Sequence, residues 1–230
     1  MDISNKLLGV MGGMGTQATA CFYEKLHAMQ TVTKEQDYLD VLVYSMPSIP
    51  DRTTFITGKS DENPLKHLIH AAETLEKAGS SCIALPCATS HFFYNEICNS
   101  VNIPILHLLE ETAKYVHNQN IKKICLLATT GTIKGRAFSS AFEKYNIETA
   151  IPSDNIQTEI MNIIYDIKKG LIVSPEKLNK IIEEASQNTE AAVAVLGCTE
   201  LCILPHTNFN SINILDVLAK AALKHFSINA

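Results

Sequence analysis

The two halves of this chain carry one pattern twice. Asn63-Pro64 and Ser174-Pro175 each read as a helix N-cap followed by proline at the first helical position. Each proline stands 23 residues ahead of a cysteine, Cys87 in one half and Cys198 in the other. Both intervals read as a helix, then an apolar strand, then the thiol. Farther on, NIPILHLLEETA (102–113) matches SINILDVLAKAA (211–222), setting Ile103, Ile105, Leu106 and Leu109 against Ile212, Ile214, Leu215 and Leu218. Near the starts, LLGVMGGMGT parallels ICLLATTGT, each a strand ending in a Gly-Thr loop before a helix. Any two strand–helix units share some likeness, but four matches in one order point to internal duplication.

The repeated unit dictates the fold class. KLLGVMG, DVLVYSM, SCIALP, KKICLLAT and AAVAVLG read as strands, with helices near 17–30, 64–78, 135–145 and 175–187. Strands apolar at every position, alternating with amphipathic helices, predict α/β architecture with parallel sheets covered on both faces. Duplication then predicts two similar domains facing each other across a cleft about a pseudo-twofold axis. The division expected is 1–108 plus 210–230 for the first and 109–209 for the second. Ligands of open parallel sheets bind beyond the carboxyl ends of the strands, where Cys87 and Cys198 hold equivalent positions. A pseudo-twofold aims both thiols at one ligand from opposite sides. Each also sits ahead of an expected helix start, where free N–H groups lower a thiol pKa. One thiolate and one thiol across a carbon can take a proton from one face and return one to the other. That inverts a stereocentre, and because it runs in both directions each group must serve as acid and as base.

Composition narrows the function classes. The chain is 46% hydrophobic and 19% charged, with net charge −5 and a pI near 5.9, so it lacks the basic footprint of a nucleic-acid binder. MDISNKLLGVMGGMG has neither the basic start nor the long apolar core of a signal peptide, and no apolar run approaches the ~20 residues of a membrane span. A cytoplasmic protein without a membrane partner is expected. Seven cysteines at irregular spacing do not make a disulfide scaffold, and with no CxxC pair structural zinc is not expected. Cys21, Cys82, Cys98, Cys125 and Cys202 are read as small buried hydrophobes. MGGMG lacks both dinucleotide-binding and Walker spacing. Lys134 and Arg136 are expected to pack or pair at the domain junction.

MGGMGT (11–16), SIPDRT (48–53), LPCATSH (85–91), ATTGTIKGRAF (128–138), YDIKKG (165–170) and LGCTEL (196–201) together span nearly the whole chain. In this set and order the sequence resembles the aspartate/glutamate racemases of the wider Asp/Glu/hydantoin racemase superfamily, and aspartate racemases in particular. The resemblance implies two Rossmann-like domains, a homodimer, an amino-acid substrate, and chemistry without pyridoxal phosphate or another cofactor or metal. It assigns Cys87 and Cys198 as the catalytic pair. It places Arg52 and Lys168 on the substrate's side-chain carboxylate, though Lys168 also reads as a helix-capping cation beside Lys169 and Gly170. Thr89, Ser90 and Thr199 fall where the family contacts the α-carboxylate and α-amine, and Met14 on the loop lining the cleft. Ala88 departs from the pattern, because the family carries asparagine directly after its first cysteine. Glu200 follows the aspartate-racemase branch, where glutamate racemases carry histidine. His91, one turn after Cys87, reads more as a capping histidine than as a tuner of the thiol. Other superfamily chemistry (hydantoin racemisation, maleate isomerisation, malonate decarboxylation) and a non-catalytic amino-acid-binding protein stay open at this point.

Overall fold

A computed structural model describes residues 6–205 and 210–228. The first five positions of the stretch read for a leader, and the outer ends of the expected first domain, lie outside the described residues. The first half runs β1 (Leu7–Gly12), α1 (Thr16–Ala28), β2 (Asp40–Ser45), α2 (Arg52–Ile56), α3 (Leu65–Lys77), β3 (Cys82–Ala84), α4 (Tyr94–Cys98), β4 (Ile105–Leu106) and α5 (Leu108–Asn118). The second runs β5 (Lys123–Leu127), α6 (Thr130–Lys134), α7 (Ala137–Glu143), β6 (Glu148–Ala150), α8 (Asp154–Lys168), α9 (Pro175–Thr189), β7 (Ala194–Leu196), β8 (Ser211–Asn213) and α10 (Ile214–His225).

The strands form two four-stranded parallel sheets of matching order, β2-β1-β3-β4 and β6-β5-β7-β8. The duplicated sequence therefore folds into duplicated topology. In the first sheet Leu8 pairs with Cys82 and Val10 with Ala84; in the second Cys125 pairs with Ala194 and Leu127 with Leu196. These central strands are buried on both faces, as their unbroken apolar runs require. The second cap signal acts as read, with Ser174 accepting from the Lys177 N–H ahead of Pro175. In the first half the Asn63 side chain accepts from the Leu65 N–H, but Pro64 itself stands at the cap and the helix begins one residue later than expected.

The last helix of each half crosses over. α5 leaves the first sheet and packs on α7, whereas α10 leaves the second and packs on α1, with α5 and α10 in mutual contact. Leu215, Leu218, Ala219 and Leu223 of α10 are buried in a core that also takes in α1, α5 and the second sheet. Each buried leucine contributes about 1.5–3 kcal/mol, so the crossing holds the halves as one body. Lys25 on α1 pairs with Asp216 on α10 at 2.8 Å. This geometry corrects the expected domain division. β8 pairs with β7 in the second sheet, so a boundary at 209/210 assigns the strand to the wrong half, and only α10 returns to α1.

The helix expected near 135–145 is α7, and a separate short helix, α6, precedes it, ended by Gly135 before Arg136 turns through φ +51°. One further expectation changes. Arg136 pairs locally with Glu143 at 2.9 Å on the exposed surface and does not reach the domain junction. Among the described residues no helix is long and apolar enough to cross a membrane.

Candidate active site

Both thiols lie just past the carboxyl ends of the middle strands β3 and β7. Past β3 the chain passes through Leu85 and Pro86, and the Cys87 N–H donates back to the Leu85 carbonyl at 2.8 Å. Gly197 makes the same 2.8 Å return to Val195 before Cys198. A short 3₁₀ helix, Thr89–Phe93, follows Cys87 with Ala88 at its cap. After Cys198 there are only successive turns, with Leu201, Cys202 and Ile203 donating to the carbonyls three residues back. Neither cysteine heads a long α-helix, so the dipole expected to favour a thiolate is weak.

The surroundings of the two sulfurs differ. At Cys87, the Ser90 hydroxyl lies 3.1 Å from Sγ and 3.3 Å from Met14 Sδ, with the hydroxyl as donor to both. His91 is a staple behind the site. Its Nδ1 donates to the Cys87 carbonyl at 2.9 Å, and its Nε2 accepts from the Leu108 N–H at 3.1 Å. Burial, helped by nearby His107, pushes its pKa down to about 3, so it is neutral. It caps and does not tune the thiol. At Cys198, Sγ donates to Glu200 Oε2 at 2.9 Å, and the Thr199 hydroxyl lies 3.5 Å from the same oxygen. Burial and then the Glu200 charge push the Cys198 pKa well above the ordinary thiol value, with Lys168 only partly offsetting them. The depressed pKa expected from strand-end position is overturned at this thiol by desolvation and the adjacent carboxylate.

A cavity of about 340 Å³ opens beside these groups, lined by Met14, Thr16, Ile49, Asp51, Arg52 and Lys168 with Gly13 and Gly15 of the MGGMG loop. The loop needs glycine. Gly13 has φ +93°, and a Cβ there would come within 2.4 Å of Met46 backbone atoms. Gly15 brings the loop against the second half, since a Cβ there would lie 2.9 Å from Glu200 Oε1. Arg52, only 5% exposed, donates through Nη1 to the carbonyls of Ile49 (3.2 Å) and Pro50 (2.9 Å), and through Nη2 to that of Met14 (3.4 Å). Its buried Nε has no partner among the described residues. Three of five guanidinium donors are thus engaged, leaving Nε–H and one Nη2–H, the pair that forms one edge of the fork. Lys168 ends α8, with Nζ 3.8 Å from Glu200 Oε1. Burial works against its charge, but Glu200, Cys198 and Cys87 outweigh burial and the repulsion of Arg52, so its pKa is raised. Asp51 caps α2 and accepts from the Thr54 N–H at 2.8 Å and the Tyr165 hydroxyl at 3.2 Å. Burial opposes its ionised form, but those hydrogen bonds and the charges of Lys168 and Arg52 prevail and lower its pKa.

The sequence-predicted residues fall into three groups. Met14, Arg52 and Lys168 line the cavity. Cys87 and Cys198 stand one residue behind that wall, reached from Met14 through Ser90 on one side and from Lys168 through Glu200 on the other. Thr89, Thr199 and Ala88 are buried. The Thr89 hydroxyl sits 3.1 Å from that of Thr129 and 2.9 Å from that of Thr132, closing a three-hydroxyl cluster across the junction. Sequence reasoning missed Thr129 and Thr132, although TTGT in the second half offered them, and treated Glu200 only as a branch marker. Its spacing of two from Cys198 was the available signal.

Two matched parallel α/β sheets, each with a thiol just past the carboxyl end of its middle strand and with a cleft lined by Arg52, Lys168 and Asp51 close by, are the frame of a two-domain isomerase of the racemase kind. The chain belongs to the Asp/Glu/Hydantoin racemase family, whose model matches residues 11–222. It is similar to the broad specificity amino-acid racemase RacX of Bacillus subtilis, 29% identical over 96% of this chain and 98% of that one. Among solved structures it is similar to Picrophilus torridus aspartate racemase, with TM-score 0.81 and 26% identity over 97% of this chain and 95% of that one. Glutamate racemase from Francisella tularensis in complex with D-glutamate shares the fold, with TM-score 0.72 and 15% identity over 97% and 82%.

Proposed function

We propose that the protein interconverts the L and D forms of acidic amino acids, aspartate first and glutamate within reach, by two-base proton transfer between Cys87 and Cys198. The observation that carries the reading is the pair of equivalent thiols, both 5% exposed and both acting electrostatically on the single ammonium of Lys168. The remaining Nε/Nη2 edge of Arg52 is a ready bidentate donor for the substrate's distal carboxylate, with Lys168 as counter-charge. A buried donor left unpaired is uncommon and points to a ligand group. Thr89, Ser90 and Thr199 then take the α-carboxylate and α-amine, and Met14, a flexible side chain, yields as Cα enters between the sulfurs. In one direction the Cys87 thiolate removes the α-proton while the Cys198 thiol supplies one to the opposite face; the reverse direction exchanges the roles. The same reading extends to a homodimer working in the cytoplasm.

A broader specificity is a second reading with its own support. Asp51 and Glu200 bring two carboxylates against Arg52 and Lys168, so the cleft has little net charge and favours an anionic side chain less. Ala88, small where the family has an amide, adds no polar demand of its own. One experiment separates these readings. L- and D-amino acids are incubated with the protein in deuterium oxide, and α-hydrogen exchange and optical rotation are followed. Aspartate well ahead of neutral amino acids supports the first reading, and comparable rates the second. No exchange with any amino acid defeats both. Cys87→Ser and Cys198→Ser should each abolish racemisation while retaining one-sided exchange with a single enantiomer.

A further inference from the structure

The pseudo-symmetric frame carries asymmetric hydrogen bonds at its two sulfurs. The Ser90 hydroxyl has one hydrogen and two sulfur acceptors, Cys87 Sγ at 3.1 Å and Met14 Sδ at 3.3 Å. A thiolate is a far stronger acceptor than a thioether, so the hydrogen turns to Cys87 when that sulfur is ionised. When Cys87 is protonated the hydrogen can turn to Met14. Cys198 faces the opposite arrangement. Its neighbour is an ionised carboxylate that can only accept, so the 2.9 Å contact to Glu200 requires the proton on sulfur.

The geometry points to a fixed resting proton distribution: Ser90 holds Cys87 as the thiolate and Glu200 holds Cys198 as the thiol. This rests on the two-thiol reading above and adds two positioning residues to it. The surroundings of Cys198 agree, since burial and then the Glu200 charge raise its pKa and Lys168 only partly offsets them. The proton count closes. Starting from the resting form, Cys87 gains the substrate's α-proton and Cys198 loses its own to the product. That leaves a Cys198 thiolate against the Glu200 carboxylate, a like-charge pair relieved only by Lys168. The resting form returns when Cys87 releases one proton to solvent and Cys198 takes one up. The two enantiomers therefore meet enzyme forms of unequal population. Because the enantiomers are equal in free energy, kcat/KM is equal in the two directions, and the bias shows in kcat and KM together.

The test reads thiolate directly and needs no turnover. The wild-type protein is treated with iodoacetamide over a range of pH, and alkylation of each cysteine is followed by peptide mass spectrometry. Both thiols are 5% exposed, and the pH profile of each rate separates charge from access. Cys87 should react at least about tenfold faster than Cys198 at neutral pH. Ser90→Ala should slow Cys87 about tenfold and shift its pH profile upward while leaving Cys198 unchanged. Glu200→Gln should accelerate Cys198 about tenfold and leave Cys87 unchanged, whereas general loosening would accelerate both. Equal rates in the wild type, or a faster Cys198, overturn the inference. So does a Ser90→Ala profile identical to wild type. Those outcomes leave the racemase reading standing, which falls only if amino acids show no exchange.

Discussion

Lys168→Met should destabilise the protein at neutral pH. Glu200 is buried, its side chain 3% exposed, and its Oε1 makes no hydrogen bond among the described residues. That oxygen relies on the Lys168 ammonium at 3.8 Å, whose own side chain is 20% exposed. At an effective dielectric near 20, the attraction at that distance is roughly 4 kcal/mol. Removing one partner of such a pair leaves an uncompensated charge, which costs about 3–5 kcal/mol. Methionine keeps most of the packing volume, so the loss reports charge. Urea unfolding followed by circular dichroism at pH 7.5 measures it. The alkaline arm provides a second check. The folded pKa of Lys168 is raised above 10.5, so its contribution is full below that value and lost as pH rises through the folded one. The wild type should thus lose part of its advantage over the variant only at strongly alkaline pH. Equal stability at pH 7.5 would refute the claim that Lys168 compensates a buried carboxylate.

His91→Phe should cost about 2–3 kcal/mol in urea unfolding, since it strands the Cys87 carbonyl and the Leu108 N–H together. In the wild type, His91 has a folded pKa of about 3 against an ordinary 6.5, so its share of stability is full above 6.5 and lost as pH falls toward 3. The acid slope of a stability–pH curve should flatten in the variant. Gly13→Ala should lose about 3 kcal/mol or more, because the added Cβ meets Met46 backbone 2.4 Å away at φ +93°; thermal unfolding checks it, and a change under 1 kcal/mol would mean the loop is free to shift.

Much of the frame was legible because it is written in period and repetition. Unbroken apolar strands allowed only parallel sheets between helices, and the equal spacing of Pro64–Cys87 and Pro175–Cys198 located two equivalent thiols before any coordinates. α8 was equally legible and was passed over. Ile156, Ile160, Ile163, Ile164 and Ile167 form an apolar stripe along Asp154–Lys168, and most of it is buried. What the chain did not disclose was which half each closing helix covers. NIPILHLLEETA and SINILDVLAKAA look alike as β4–α5 and β8–α10, but nothing local says that each helix packs on the other half. That is a tertiary choice, made by Leu215, Leu218 and Leu223 finding the core beside α1.

The site was less legible than the frame for a related reason. Strand-end position is a symmetric property, and from it both thiols were expected to be acidified alike. Neighbouring charge is not symmetric. Ser90 and Glu200 stand three and two residues after their cysteines, and the turns that follow aim one a hydroxyl and the other a carboxylate at sulfur. A hydroxyl can turn its hydrogen toward an anion; a buried carboxylate can only accept one. Duplication therefore supplies two equivalent positions, and the local turns decide the charge each holds. Reversible chemistry at one carbon requires that difference, because two thiolates cannot supply a proton and two thiols cannot remove one.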